Sequence, residues 1–222
     1  MSDAGEYPPF PPPGPPFIPA SFHQNTDDGD TTGYIFNHVA LQISSPALSF
    51  SFYVDFLGMS LIFAINAGPM TAYYLGYRNA EHDAVPSDMA RGSGARSGLL
   101  ELIVANDHDA IHSDPTPNDT EKFRASGGST QSGRRVGFAH FGFRVPNVAE
   151  TLKRAEEKGW KVVKPVGEVD IQYMPLPGWE NEVEAKGRKW EGGFEKTFAQ
   201  VAFVQDPDGH WIEILPREMK RG

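Results

Sequence analysis

Not one of the 222 residues is a cysteine. Disulfides, thiolate metal sites and cysteine nucleophiles are therefore excluded, and the chain suits a reducing compartment. Long apolar runs are missing too. Nothing approaches the about 18 consecutive apolar residues of a membrane helix, so no membrane partner is expected. The opening Met1–Glu6 has neither a basic nor an apolar stretch, which reads as no secretory signal and makes a cytoplasmic location the expectation. Positive charge is scarce. Lys and Arg total 20 against 29 Asp and Glu, a formal net charge of −9. Nucleic acids and anionic membranes are bound through clustered Lys and Arg, so neither is an expected partner. A small anionic ligand stays compatible, because one local basic pocket suffices.

What the chain does have is apolar bulk: 39% hydrophobic residues with 15 Phe and 4 Trp, enough at this length for a real core. Residues 1–34 stand apart as a proline-rich N-terminal arm, with eight prolines between Pro8 and Pro19. Such a stretch favours polyproline II and can join neither a helix nor a central strand. Two readings stay open: a disordered tail, or an arm that lays Phe10, Phe17, Ile18 and Phe22 on a partner subunit.

Beyond the arm, Val39, Leu41 and Ile43 alternate with His38, Ala40 and Gln42, the period of a half-buried strand. Ser44, Ser45 and Pro46 mark a helix start, Leu48, Phe52 and Phe56 form its apolar stripe, and Gly58 sits where a left-handed cap is wanted. Strands are expected at 60–65, 71–77 and 99–104. The same order restarts about 102 residues later. Phe141, Phe143 and Val145 alternate with His140, Gly142 and Arg144. Asn147 and Glu150 resemble a capping box, Val148, Leu152 and Ala155 form the stripe, and Gly159 closes the helix. Strands are expected at 161–163, 197–204 and 211–215, the last two joined by the turn Asp206-Pro207-Asp208-Gly209. The repetition predicts an α+β fold of two βαβββ modules, 35–105 and 136–218. A polar loop, 106–135, connects them, and the second module carries an insertion, 166–196, with Tyr173, Trp179 and Trp190. Loops this long usually have a functional or linker role.

Each module offers a histidine on its first strand and a glutamate on its last: His38 with Glu101, His140 with Glu213. Glu101 interrupts the apolar run Leu99–Val104, and Glu213 interrupts Trp211–Leu215. An unpaired buried carboxylate costs several kcal/mol, and a metal ion removes that cost. Two imidazoles and two carboxylates suit a borderline divalent cation. A lone strand histidine is more often a hydrogen-bonded core residue than a ligand. Four such residues at repeat-equivalent positions favour a metal-centred cleft. His23, His82, His108, His112 and His210 fall in loops or turns and are expected to be solvated.

The segments Phe36–Val39, Phe52–Met59, Leu100–Leu102, Gly137–Gly142 and Phe203–Ile214 resemble glyoxalase I, of the vicinal-oxygen-chelate superfamily, over about 36–104 and 137–216. The proline-rich start and the insertion look like a fungal branch of that family. The resemblance implies one divalent ion per site, held by His38, Glu101, His140 and Glu213, with the cleft often completed by two subunits of a homodimer. Histidine at the first position is the bacterial nickel or cobalt pattern rather than the zinc one; iron and manganese stay open. The implied reaction is a lyase isomerisation of the methylglyoxal–glutathione hemithioacetal to lactoylglutathione through an enediolate. Glu213 is the implied main base, with Glu101 on the opposite face.

The family's glutathione anchors match poorly. Gln42 and Val136 stand where arginines are expected, and Ala105 replaces an asparagine beside Asn106. Arg134 and Arg135 are displaced from the arginine position, Lys164 matches a family lysine, and Lys196 matches loosely. The substrate-binding candidates are Gln42, Arg135, Arg144 and Lys164. Glutamine does not reproduce a bidentate arginine–carboxylate contact. An alternative is therefore a metalloenzyme of the same superfamily, an isomerase or oxygenase, acting on an aromatic or polyketide-like substrate without glutathione. A ring-cleaving dioxygenase site would have no use for Glu101 as a fourth ligand, and a bleomycin-binding, ligand-sequestering role would not need the quartet.

Overall fold

A computed structural model describes residues 12–14, 16–19, 31–106, 129–131, 134–136, 138–174 and 188–220. The first module begins with β1 (His38–Gln42). Ser45, itself still extended, caps the next element by accepting from the Leu48 N–H, and Pro46 opens α1 (Pro46–Phe50), where its missing N–H costs no hydrogen bond. Without interruption α1 widens into a π-helical stretch, Ser51–Phe56. The wider turn changes the phase of the apolar stripe. Phe52, Tyr53 and Phe56 are buried, whereas Leu48, an expected member of the stripe, is half exposed. Gly58 closes the element with φ +79°.

Strands β2 (Ser60–Asn66), β3 (Met70–Gly76) and β4 (Leu99–Ala105) complete a sheet in the order β1-β4-β3-β2. Its β1–β4 pair is parallel and the rest antiparallel. Between β3 and β4 runs a short helix that the sequence pattern does not signal, α2 (Pro86–Gly92). Its Met89 packs on Ile62 and Leu99. The connection between the modules is not simply a polar loop, because it contains a small hairpin, β5 (Ser129–Gln131) with β6 (Arg134–Val136).

The second module repeats the first. Strand β7 (Phe141–Val145) leads to α3 (Val148–Glu157), whose first turn is capped by the Asn147 carboxamide accepting from the Glu150 N–H at 3.2 Å. After it come β8 (Lys161–Lys164), β9 (Ala202–Gln205) and β10 (Trp211–Pro216), in the order β7-β10-β9-β8 with β7–β10 parallel. One expectation fails here. Residues 197–204 are not one strand, because α4 (Phe194–Phe198) takes the first of them and pairing begins only at Ala202. A short apolar run fits a buried helix end as well as a strand.

The two modules share one core. It joins Leu41, Phe52, Leu100, Leu102 and Val104 to Val148, Leu152, Ala155, Ile212 and Ile214. Phe52 meets Trp160 edge-to-face at 5.2 Å, and Arg154 donates to the Phe56 carbonyl at 2.7 Å. Asp206, in the turn before β10, is buried and accepts from the Tyr53 hydroxyl at 2.7 Å. One face of each sheet is therefore consumed by the shared core. Alternation along β4 and β10 places Glu101 and Glu213 on the opposite faces.

Candidate metal centre

On the face of the first sheet opposite the shared core, His38 Nε2 lies 3.3 Å from Glu101 Oε2. Parallel register sets Ala40 beside Glu101, so His38 reaches the carboxylate from one position along its own face. The ring is oriented by its neighbour. Asn37 donates its Nδ2 hydrogens to the Ser93 carbonyl at 2.9 Å and the Arg96 carbonyl at 2.7 Å, leaving its Oδ1 to accept from His38 Nδ1 at 2.9 Å. That fixes the Nδ1–H tautomer and turns the Nε2 lone pair toward Glu101. Two acceptors facing each other at this distance repel unless a proton or a cation lies between them. Tyr74, next to Glu101 in register, sets its ring edge against His38 at 5.5 Å and stacks on Phe63 at 4.6 Å. Burial, and then the Glu101 carboxylate, hold its phenol above the ordinary pKa.

The second sheet repeats the pair: His140 Nε2 lies 3.2 Å from Glu213 Oε2. Gly142 lies opposite Glu213 in register, close against the carboxylate. A Cβ there would meet Leu215 Cδ1 at 3.0 Å and Glu213 Oε2 at 3.5 Å. Phe203 supports the imidazole edge-to-face at 5.3 Å. His140 Nδ1 is buried and has no hydrogen-bond partner among the described residues, so this ring lacks the orienting contact that Asn37 gives His38.

The four residues do not meet within one chain. Among the described residues no group of three or more His, Asp and Glu side chains is placed to hold a metal ion. The structure brings the sequence-predicted quartet together as two separate pairs. Strand alternation gives the reason: Leu100, Leu102, Ile212 and Ile214 turn into the shared core, so Glu101 and Glu213 lie on the faces opposite it. Each pair alone offers a divalent cation two suitable donors. Each joins an imidazole nitrogen to a carboxylate of low exposure, 13% for Glu101 and 19% for Glu213.

Residues 35–174 match the profile of the Glyoxalase/Bleomycin resistance protein/Dioxygenase superfamily. The chain belongs to that superfamily. It is 29% identical over 203 residues to a lactoylglutathione lyase of Pseudomonas aeruginosa, covering 88% of this chain and 92% of that protein. Against a protein named glyoxalase I from Saccharomyces cerevisiae it is 26% identical over 84% of this chain, spanning only 44% of the yeast protein. Among solved structures, the glyoxalase I of Leishmania major aligns over 82% of this chain and 86% of its own, with TM-score 0.45 and 18% identity.

Placed on this superfamily fold, the candidate substrate residues separate. Gln42 is exposed at the end of β1, on the His38 face by strand parity. Arg144 shares the His140 face, and its Nη1 donates to the carbonyls of Pro216 at 2.8 Å and Arg217 at 3.0 Å. Arg135 lies on β6, and its side chain is outside the described residues. Lys164 is fully buried. Its Nζ donates to the carbonyls of Val201 at 2.6 Å, Phe198 at 2.9 Å and Pro165 at 3.2 Å, and stands 4.5 Å from the Phe198 ring centroid. An ammonium with all three hydrogens spent on the core has none for a substrate carboxylate. Burial pulls its pKa down to about 8, with Glu168 and Glu213 opposing the fall.

Described residues of the insertion pack on the His140 side of the second sheet. Tyr173 and Trp190 pack with Phe198, Phe203 and Trp211, while Trp179 falls outside the described residues. His82 is exposed as expected, and His23, His108 and His112 lie outside the described residues. His210 corrects the expectation of solvation: its Nδ1 lies 3.0 Å from Asp206 Oδ2. The hydrogen bond to Asp206 raises the His210 pKa. Burial opposes ionisation of Asp206, yet the hydrogen bonds from His210 and Tyr53 outweigh it and hold the carboxyl low. Sequence reasoning missed Asn37, Tyr74 and Phe203. Asn37 had the one usable signal, a carboxamide directly before a candidate ligand.

Proposed function

We propose that the protein is a metal-dependent lyase of the glyoxalase I type, with each site assembled from the His38–Glu101 pair of one chain and the His140–Glu213 pair of a second copy. The observation that carries this reading is the repetition of one His–Glu pair on two sheet faces turned away from the shared core. Two copies related by a two-fold axis can bring unlike faces together twice, giving two equivalent four-ligand sites. The similarity to the Pseudomonas aeruginosa lactoylglutathione lyase supports the activity.

His38, Glu101, His140 and Glu213 would hold the ion, and a divalent cation there supplies Lewis acidity to the oxygens of a chelating substrate. The protein's share is proton handling. The substrate class is the hemithioacetal of a 2-oxoaldehyde with a thiol such as glutathione. Its C–H and O–H hydrogens at the thiol-bearing carbon become C–H and O–H at the adjacent carbon, so nothing enters or leaves. Glu213 takes the carbon-bound proton and returns it to the neighbouring carbon, and Glu101 faces the substrate from the other sheet. Asn37 keeps the His38 lone pair aimed inward.

A second reading retains the site but drops glutathione. It is favoured by the burial of Lys164, the glutamine at position 42 and the aromatic cluster beside His140. The deciding experiment loads purified protein with nickel, cobalt or zinc in turn. Bound ion is counted per chain, and turnover of the methylglyoxal–glutathione adduct is then followed. One ion per chain with kcat/KM inside the usual enzyme range, about 10⁴–10⁸ M⁻¹s⁻¹, supports the first reading. One ion per chain with no turnover supports the second, and no bound ion overturns both.

A further inference from the structure

The lyase reading uses neither the proline-rich arm nor the insertion, and the structure puts residues of the two in contact. Gly192 and Gly193, just before α4, both adopt left-handed backbone, with φ +61° and +78°. Their surroundings differ. A Cβ on Gly193 would meet nothing within 4 Å, so glycine there answers only to conformation. A Cβ on Gly192 would overlap the Gly14 amide nitrogen and lie 2.8 Å from both Gly14 Cα and the Pro13 carbonyl carbon. These are backbone atoms, which cannot swing aside as a side-chain tip can. Glycine at 192 is what lets the arm approach.

Beneath this contact a chain of aromatic packing runs to the second half-site. Trp190 lies 5.0 Å from Phe194 and 4.9 Å from Phe198, and its indole N–H donates to the Val169 carbonyl at 2.6 Å. Phe198 packs at 6.4 Å from Phe203, which supports His140. Phe194 keeps 41% of its surface exposed beside Gly192, and Phe17 and Ile18 of the arm are exposed too. We propose that residues 188–198 form a docking surface for a proline-rich segment, occupied by the arm of this chain at Pro13 and Gly14, and that the docked arm holds α4 down on the sheet face carrying His140. Proline is well suited to such docking, since its preset φ leaves little conformational entropy to lose and it brings no N–H that the surface must satisfy. Surfaces bearing aromatic side chains are the usual partners of such segments. Neither the metal nor the reaction enters into this contact.

The test is backbone hydrogen exchange across 190–200 in four full-length proteins: the natural chain, a Pro12→Ser, Pro13→Ser, Pro16→Ser variant, Gly192→Val and Gly193→Val. A synthetic peptide of residues 8–19 is added to each in turn. The serine variant should exchange about tenfold faster or more across 190–200, with β1–β4 unchanged, and saturating peptide should restore protection. Gly192→Val should show the same rise and no response to peptide. Gly193→Val carries similar backbone strain without blocking the approach, so it should retain the arm's protection; this separates blocked docking from misfolding. Equal exchange in the natural chain and the serine variant overturns the proposal, as does peptide that protects Gly192→Val as well as the others.

Discussion

Two inactive proteins should make one active one. One variant carries His38→Ala and Glu101→Ala, the other His140→Ala and Glu213→Ala. Each substitution set removes both members of a pair, so neither leaves an unpartnered buried carboxylate, and both chains should fold. In a dimer of the first variant every site lacks its first-module pair, and in a dimer of the second every site lacks its second-module pair. In a mixed dimer, one site inherits both defects and the other inherits both intact pairs. Random exchange of equal amounts makes about half of the dimers mixed, with one good site in two, so about a quarter of the sites are restored. The assay co-expresses the two chains with different tags, isolates the mixed species, and measures bound ion and turnover of the hemithioacetal. About half of the natural site content should then appear in the purified mixed dimer. Verified mixed dimers that bind no ion and turn over nothing would refute assembly between two copies, since a site built within one chain can never be complemented this way.

Other outcomes follow from single contacts. Glu213→Gln should retain the ion, because a carboxamide oxygen still ligates, while kcat falls on the order of 10²–10⁴-fold; near-natural turnover with the ion bound would remove Glu213 from the base role. Tyr53→Phe removes a 2.7 Å bond to buried Asp206 and should cost about 1.5–3 kcal/mol of stability, read from urea unfolding at fixed metal content. The Asp206–His210 pair also sets a pH window. Asp206 has a depressed folded pKa, so its contribution is present above the unfolded carboxylate pKa near 3.8 and fades as pH falls through the folded value. His210 has a raised one, so its contribution is full below about 6.5 and is lost as pH rises through the folded value. His210→Gln should flatten the alkaline side of a Tm–pH profile, and an unchanged profile would contradict the pairing. Lys164, pulled down to about 8 from 10.5, binds fewer protons folded than unfolded between those values, so stability should rise there with pH. Lys164→Met should abolish that rise without raising KM for a thiol adduct, whereas a large KM increase would return Lys164 to substrate binding.

The candidate ligands were legible because burial and charge conflict within a few residues. A glutamate inside Leu99–Val104 and another inside Trp211–Leu215 announce themselves without any tertiary information, and the repeat pairs each with a histidine. Caps and closing glycines were legible for the same local reason: Asn147, Gly58 and Gly159 act within one turn of where they stand. What failed locally was phase. The π-helical turn after α1 exposed Leu48, and the apolar run at 197–204 began as the end of α4.

Residues whose role depends on distant neighbours could not be read at all. Lys164 looked like a basic anchor at a strand end, yet carbonyls of Phe198 and Val201, more than thirty positions away, fill its hydrogen bonds. His210 looked solvated, and the Asp206 carboxylate it pairs with is also held by Tyr53, 153 residues earlier. By itself the sequence determined two βαβββ modules, the face of each sheet that carries a His–Glu pair, and the chemistry those donors suit, because strand alternation and the cost of a buried carboxylate are local properties. Which face of each sheet the shared core would occupy was decided only by tertiary packing. Alternation sorts residues into two faces but does not say which of them another module will cover, and that choice separates the two pairs within one chain.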